Sequence, residues 1–223
     1  MHTADASPLA PGLALIFDLD GVIVDSMPVH ARAWELYLEP LGVAQDLIAK
    51  THGWRNDQIV REFLGQDADP EAVFGHGAAK ERLYRNLMEK QLHQSLVPGI
   101  ESWLERFSGA PLGLATNAER ANVDFVLEKA GLRRHFRVIV DGSQVRNPKP
   151  AADIYLRAAE ELGVAPANCI IFEDSAAGVQ AGRSAGARVA GILTHTPLEG
   201  VEISARDFRD ARLAAWLAQQ RER

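Results

Sequence analysis

Two aspartates, Asp18 and Asp20, stand two residues apart directly after the apolar run Leu13–Phe17, in the stretch FDLDGVIVDS. A buried strand gains nothing by ending on paired acids, because burying a charge is costly. In an extended chain, side chains two positions apart point to the same side. Carboxylates can act as nucleophiles or as general acids and bases, whereas Asp20-Gly21 alone is equally compatible with an ordinary turn. The role of the two aspartates can therefore be inferred only together with the rest of the chain.

The elements that must position these aspartates are short apolar runs rich in Val and Ile. There are five of them, at Leu13–Phe17, Leu112–Ala115, Val138–Val140, Cys169–Phe172 and Arg188–Leu193. Most are too short for helices and are typical of buried parallel strands. Helical patterns alternate with the last four runs; Ala121–Leu132 and Asp153–Leu162 place apolar residues at i, i+3, i+4 and i+7. The sequence predicts an α/β fold, a doubly wound, Rossmann-like parallel sheet.

The region between the first and second strands breaks this alternation. It contains helical patterns at Val29–Leu38, Gln58–Leu64 and Ala78–Leu92, and no convincing strand. We expect Trp34, Leu38 and Leu41 to line one face of the first of these helices. The predicted domains are an α/β catalytic core, residues 1–26 and 97–223, and an inserted all-α helical cap, residues 27–96.

Composition narrows the classes of partner. With 47% apolar residues, the 223-residue chain can build a substantial core, and its net charge of −6 without a basic block argues against nucleic acid. No apolar stretch approaches the roughly 20 residues of a membrane span, and residues 1–11 lack the apolar segment of a signal peptide and are interpreted as a mobile leader. The single cysteine, Cys169, favours a reducing compartment. We therefore expect a cytoplasmic protein, monomeric by default, that binds no membrane.

Polar residues follow the predicted strands at the points where ligands bind in parallel α/β sheets. They are Asp18, Asp20, Thr116, Asn117, Glu173 and Asp174, joined by Lys149 in the loop Asn147-Pro148-Lys149-Pro150. Singly, each has an ordinary explanation: Thr116 and Asp174-Ser175 can cap helices, and a lone lysine is usually solvated. Together they predict four acids and one cation at the same edge of the sheet.

Four segments, FDLDGVIVDS, ATNA, NPKP and FEDS, resemble in that order the four motifs of the haloacid dehalogenase superfamily. Any one of them arises readily by chance, but four in order along nearly the whole chain are specific. The likeness extends to the beta-phosphoglucomutase-like branch, which inserts a helical cap after the first motif.

The resemblance implies a role for each core residue. Asp18 would be the nucleophile that forms an aspartyl-phosphate, and Asp20 the general acid and base. Lys149 and the Thr116 hydroxyl would stabilise charge on the transferred phosphoryl group. The backbone N–H groups of Thr116 and Asn117 would add donors at the start of the following helix.

The resemblance also implies Mg²⁺. Its ligands would be Asp18, Asp174 and the backbone carbonyl of Asp20, with Glu173 either a ligand or just behind the ligands. Charge counting agrees, because ionised Asp18, Glu173 and Asp174 would repel a phosphate dianion, and Mg²⁺ prefers hard oxygen ligands. The clustered acids should raise the pKa of one member, which suits a protonated Asp20.

The cap should select the substrate because it closes over the site in this family. His52, Trp54 and Arg55 lie in a loop, HGWR, similar to that of phosphatases acting on glycerol phosphate and deoxyglucose phosphate, although Trp54 can equally pack inside the cap and Arg55 can be a surface charge. Beta-phosphoglucomutases carry a lysine where His52 aligns and an arginine where Asn56 aligns. His30 stands where relatives place a histidine that assists Asp20, or it simply packs within the cap.

These observations predict a Mg²⁺-dependent phosphatase of small phosphorylated metabolites, sugar or polyol phosphates, that works through an aspartyl-phosphate. The alternative is a phosphomutase of the beta-phosphoglucomutase type. A non-enzymatic anion binder would not need both Asp18 and Asp20. A dehalogenase is disfavoured, since that branch lacks the second aspartate of the first motif.

Overall fold

The computed structural model of the protein describes residues 9–43, Leu47, 55–194 and 197–222. The strands are β1 Ala14–Phe17, β2 Leu112–Ala115, β3 Val138–Val140, β4 Cys169–Glu173, β5 Arg188–Ile192 and β6 Ile203–Ala205. The described helices are α1 Met27–Leu38, α2 Asn56–Leu64, α3 Pro70–Glu89, α4 Leu92–Ser95, α5 Ile100–Arg106, α6 Arg120–Lys129, α7 Asp153–Leu162, α8 Ala176–Ser184 and α9 Ala211–Ala218. Among these helices none has both the length and the apolarity that a membrane crossing requires.

The six strands form one sheet in the order β3-β2-β1-β4-β5-β6, and every pairing is parallel. β1 lies near the middle, where Leu15 is paired with Leu112 on one side and Ile170 on the other. Strands β1 to β5 are buried along their whole length, which explains their continuous apolar runs. The predicted doubly wound parallel sheet is confirmed. The sixth strand was not predicted, because Ile203–Ala205 is short, half-buried and contains Ser204.

Alternate residues of the central strands supply two cores. On one face, Ala14, Ile16 and Ile171 belong to a cluster with the buried sides of α7 and α8. On the other, Phe17 stacks on Phe172 with ring centroids 4.7 Å apart. Because the side-chain period of a strand is two, this split fixes the register of β1.

We expect Phe208→Ala to lower the free energy of unfolding by about 3–5 kcal/mol, the usual cost of emptying a buried aromatic site. Phe208 is 5% exposed and contacts the rings of Phe17, Trp103 and Phe172. Urea unfolding measures the change. The matched control is Phe74→Ala, at a side chain 75% exposed, which should stay within about 0.5 kcal/mol of wild type. Equal losses in the two variants would contradict this account of the core.

Contacts between Cα atoms divide the chain into two compact units, Met1–Asp25 with His93–Arg223, and Ser26–Leu92. In the second unit the described residues form helices and turns. There Trp34 and Leu38 are buried in a cluster with Ile59, Val60 and others. The prediction for Leu41 is wrong, because it is 48% exposed. Helix α1 ends at Leu38 and a 3₁₀ turn containing Pro40 follows, so the helical periodicity does not reach Leu41.

Candidate active site

The first two acids of the site meet because their strands are neighbours in register. Phe17 is paired with Phe172 at the ends of β1 and β4, and the backbone N–H of Asp18 donates to the carbonyl of Phe172 at 3.1 Å. Asp18 therefore follows β1 directly beside Glu173, the last residue of β4. Both are buried, Glu173 completely.

Lys149 joins these two carboxylates. Its buried Nζ lies 3.0 Å from Asp18 Oδ1 and 2.7 Å from Glu173 Oε1. Burial favours the neutral amine, but the charges of Asp18 and Glu173 outweigh it and raise the pKa of Lys149. Asn117 holds the backbone on both sides of this lysine: its Oδ1 accepts from Lys149 N at 3.1 Å and its Nδ2 donates to Lys149 O at 3.5 Å. Asn117 was predicted to bind substrate through its backbone N–H, and its side chain positions the lysine loop.

Glu173 is held by five donors. Oε1 accepts from Lys149 Nζ and from the hydroxyl of Tyr155 at 2.6 Å. Oε2 accepts from the N–H of Asp174 at 3.0 Å, the N–H of Ser175 at 3.2 Å and the Ser175 hydroxyl at 3.0 Å. These donors hold the carboxylate in one orientation, in which Oε1 anchors Lys149. Tyr155 lies outside the four motifs, and its helical spacing indicated only a core residue.

Asp18, Glu173 and Asp174 form a set of oxygen donors suited to a hard cation. Each offers a carboxylate oxygen, and the three oxygens lie within 4.8 Å of one another. Asp174 is half-buried, and its carboxylate accepts no hydrogen bond from the described residues. A carboxylate without donors in such a place fits the ligand set of Mg²⁺, which prefers oxygen.

The charges of the site support the same assignment. Burial, reinforced by the charges of Glu173 and Asp20 and opposed by Lys149, raises the pKa of Asp18 to about 7. Burial and the charges of Asp18, Glu173 and Asp20 raise the pKa of Asp174 to about 8. The sequence predicted one raised carboxyl pKa and assigned it to Asp20; the raised values are found at Asp18 and Asp174. One lysine does not balance these carboxylates, and a divalent cation would.

A tight turn carries the chain past Asp20. Gly21 adopts φ +74°, and its N–H donates to the carbonyl of Val24 at 2.8 Å. A Cβ atom at this position would overlap the carboxylate of Asp174. The hydroxyl of Thr194, after β5, donates to the Gly21 carbonyl. The glycine of the first motif is therefore required both by backbone conformation and by the close approach of Asp174.

Thr116 follows β2, but its place differs from the prediction. Its N–H donates to the carbonyl of Val140 at 3.0 Å, and its Oγ1 accepts from Ala118 N at 3.2 Å. Helix α6 begins at Arg120, after Glu119, so Thr116 does not cap it. The Thr116 N–H is already used and cannot serve a bound anion, which corrects that part of the prediction. The hydroxyl can still donate its own hydrogen.

Ser175 caps α8, and the residue that it caps, Gly178, is a second position at which the structure requires glycine. Its Oγ accepts from Gly178 N at 3.0 Å, which confirms Ser175 as the cap. A Cβ atom on Gly178 would overlap the carboxylate of Glu173. No motif pointed to Gly178, since the need for it arises from a contact between the helix and the preceding strand.

The cap residues lie in the second unit. His30, in α1, has Nδ1 3.0 Å from Lys80 Nζ, and its ring stacks on Tyr84 with centroids 3.8 Å apart. Lys80 is itself buried and lies 2.7 Å from Glu81. Sequence reasoning missed this cluster, because α1 and α3 are far apart along the chain.

The predicted substrate loop is described only in part. His52 and Trp54 lie outside the described residues. Arg55 precedes α2 and is exposed; its Nε and Nη2 donate to Asp57 at 3.0 and 3.1 Å. This arrangement is compatible with the alternative that Arg55 is a surface charge.

Carboxylates and a lysine collected at the carboxyl end of a central parallel strand could hold a cation and, beside it, an anionic group. The profile of one family, described as haloacid dehalogenase-like hydrolase, matches residues 13–186. The chain belongs to this family, as the four motifs indicated.

The relatives of this chain include proteins named as phosphatases and proteins named as phosphomutases. The chain is 34% identical to the fructose-1-phosphate phosphatase YqaB of Escherichia coli K12, covering 77% of this chain and 92% of that one. It is also 34% identical to a beta-phosphoglucomutase of Mycobacterium bovis, covering 77% of each. Among solved structures, a beta-phosphoglucomutase from Clostridium difficile superposes with a TM-score of 0.78 at 26% identity, over 92% of this chain and 96% of that one.

Proposed function

We propose that this protein is a Mg²⁺-dependent phosphatase of small phosphorylated carbohydrates, with Asp18 as its nucleophile. The observation that carries the proposal is the one-sided hydrogen bonding of Asp18. Oδ1 accepts from Leu19 N at 2.8 Å and from Lys149 Nζ at 3.0 Å. Among the described residues no hydrogen bond reaches Oδ2. The side chain is thus fixed in place with one oxygen left for chemistry.

In the proposed reaction, an oxygen of Asp18 attacks phosphorus while the ester P–O bond breaks, and Asp20 protonates the departing alcohol. Water then attacks the aspartyl-phosphate, Asp20 removes its proton, and the P–O bond to Asp18 breaks to release phosphate. Lys149, close to Asp18, stabilises negative charge on the transferred group.

Mg²⁺, when bound, would supply positive charge that offsets the carboxylates and the phosphate. We propose Asp18, Asp174 and the Asp20 carbonyl as its ligands. Glu173, occupied by five donors, would stand behind them and hold Lys149.

Phosphomutase activity remains the second candidate, favoured by the similarity to beta-phosphoglucomutases. A mutase must hold a second phosphate, and the resemblance to the beta-phosphoglucomutase-like branch implies an arginine for this task where this chain has Asn56. Here Asn56 Nδ2 donates to the buried Glu81 at 2.7 Å. A neutral amide held by a carboxylate does not provide a phosphate site, which supports the phosphatase. The cytoplasmic location and the monomeric state stay predictions.

Assay of a phosphate-ester panel with Mg²⁺ and with EDTA tests the proposal; the panel includes fructose 1-phosphate, glycerol phosphate, deoxyglucose 6-phosphate and beta-glucose 1-phosphate. We expect Mg²⁺-dependent release of inorganic phosphate from at least one sugar or polyol ester. Glucose 6-phosphate formed from beta-glucose 1-phosphate without free phosphate would establish the mutase instead. Absence of both products across the panel would contradict both.

A further inference from the structure

A tyrosine outside the four motifs contacts the charged centre. Tyr155, on the buried side of α7, is 1% exposed. Its hydroxyl donates to Glu173 Oε1 at 2.6 Å, the short distance typical of an O–H bonded to a carboxylate. A buried core position needs only an aromatic ring, so the hydroxyl calls for a separate explanation.

The same ring also contacts the lysine. Lys149 Nζ lies 4.8 Å from the centroid of Tyr155, within the range of a cation–π interaction. The ammonium group is thereby bounded by the Tyr155 face, Glu173 Oε1 and Asp18 Oδ1. Tyr155 thus contacts Lys149 with the face of its ring, and its hydroxyl contacts Glu173, the residue that anchors Lys149.

We propose that Tyr155 is a positioning residue that places the Lys149 ammonium group against Asp18; the inference rests on the proposed phosphatase function. Glu173 Oε1 accepts from two donors, and the Tyr155 hydroxyl occupies one of these positions. Without it, Glu173 can turn toward Lys149 and draw the ammonium group away from Asp18. Tyr155 therefore acts through Glu173 and touches no reacting atom.

Two variants separate the hydroxyl from the ring. Tyr155→Phe deletes only the hydroxyl, and Tyr155→Leu deletes the ring as well. The matched control is Tyr37→Phe, which removes a hydroxyl that lies 2.7 Å from His76 Nδ1 in the second unit. All three variants are compared with wild type in steady-state kinetics and in thermal unfolding.

We expect Tyr155→Phe to lower kcat about tenfold with KM nearly unchanged, because the loss falls on stabilisation of the transferring group. Tyr155→Leu should lower kcat further. Tyr37→Phe should keep the wild-type kcat. A purely structural role for Tyr155 would lower the unfolding temperature and leave kcat per folded enzyme intact.

A second readout does not depend on turnover. The ¹H–¹⁵N NMR signal of the buried Lys149 ammonium group, assigned through its side-chain carbons, reports its surroundings. We expect this signal to move in Tyr155→Phe and to stay in place in Tyr37→Phe. The proposal requires both a lower kcat and a moved signal in Tyr155→Phe, and it is wrong if either is missing. If the wild type hydrolyses no ester, the proposed function fails and the kinetic requirement no longer applies; an unmoved Lys149 signal in Tyr155→Phe would then still overturn the positioning role of Tyr155.

Discussion

Replacing Asp18 by Asn is expected to reduce the rate of phosphate release by about 10⁴-fold or more, the usual loss of turnover when a covalent nucleophile is removed. The amide has nearly the shape of the carboxylate and keeps an oxygen able to accept from Leu19 N and Lys149 Nζ. It cannot attack phosphorus, so no aspartyl-phosphate forms. Since burial alone works against the charged form of Asp18, the variant should fold.

Phosphate release, together with acid-quenched mass spectrometry for a phosphorylated chain, measures this effect. Asp124→Asn is the matched control, because Asp124 is an exposed carboxylate on α6 that pairs with Arg120 at 2.8 Å. We expect it to retain wild-type turnover. Turnover by Asp18→Asn close to that of Asp124→Asn would remove Asp18 from the mechanism.

The second large effect is expected from a single methyl group at Gly178. Glu173 is fully buried, and five hydrogen bonds hold its carboxylate. A Cβ atom at position 178 would overlap its carboxylate, so either Glu173 or the first turn of α8 must move. The turn is fixed by the Ser175 cap; movement of Glu173 displaces the anchor of Lys149.

We expect Gly178→Ala to lower kcat about 100-fold, as a shift of roughly 1 Å in a catalytic group does. Overpacking should also lower the free energy of unfolding by about 1–3 kcal/mol. Gly75→Ala is the control, because Gly75 lies in α3 with open space around its Cβ position. That change should be neutral or stabilise by up to about 1 kcal/mol. If kcat and urea stability are the same in both variants, the contact between Gly178 and Glu173 does not matter.

Much of this molecule could be predicted from its sequence, because local patterns carry the information. Apolar runs identified β1 to β5, and the spacing of Tyr155, Ala158 and Leu162 gave α7 with the bounds it has. Strand β6 was not predicted, because three residues flanked by polar ones are too few to show a hydrophobic period. The prediction for Leu41 was wrong for a related reason. A 3₁₀ turn that contains Pro40 follows α1, so the helical period does not continue to Leu41.

The sequence predicted the charged residues of the site but not the residues that hold them in place. Asp18, Lys149 and Glu173 were expected to converge, and the structure brings them within hydrogen-bonding distance. Tyr155 and Gly178 were missed because their contacts with Glu173 cross between elements. A hydrophobic pattern does not show that the hydroxyl of a core tyrosine also donates to a carboxylate. A glycine in a helix does not show which atoms of another element lie against it. Such contacts depend on tertiary packing.

The central place of β1 has a consequence for synthesis of the chain. Ala14–Phe17 leaves the ribosome before the other strands of this sheet, yet the strands that pair with it begin at Leu112 and Cys169. A nascent chain therefore carries an apolar segment with both edges unpaired until Leu112 is made and with one edge unpaired until Cys169 is made, a state prone to aggregation and to capture by chaperones. Ser26–Leu92, a continuous segment with its own contacts, does not share this delay. Among the strands of this sheet, the one that precedes Asp18 is made first and waits longest for both its neighbours.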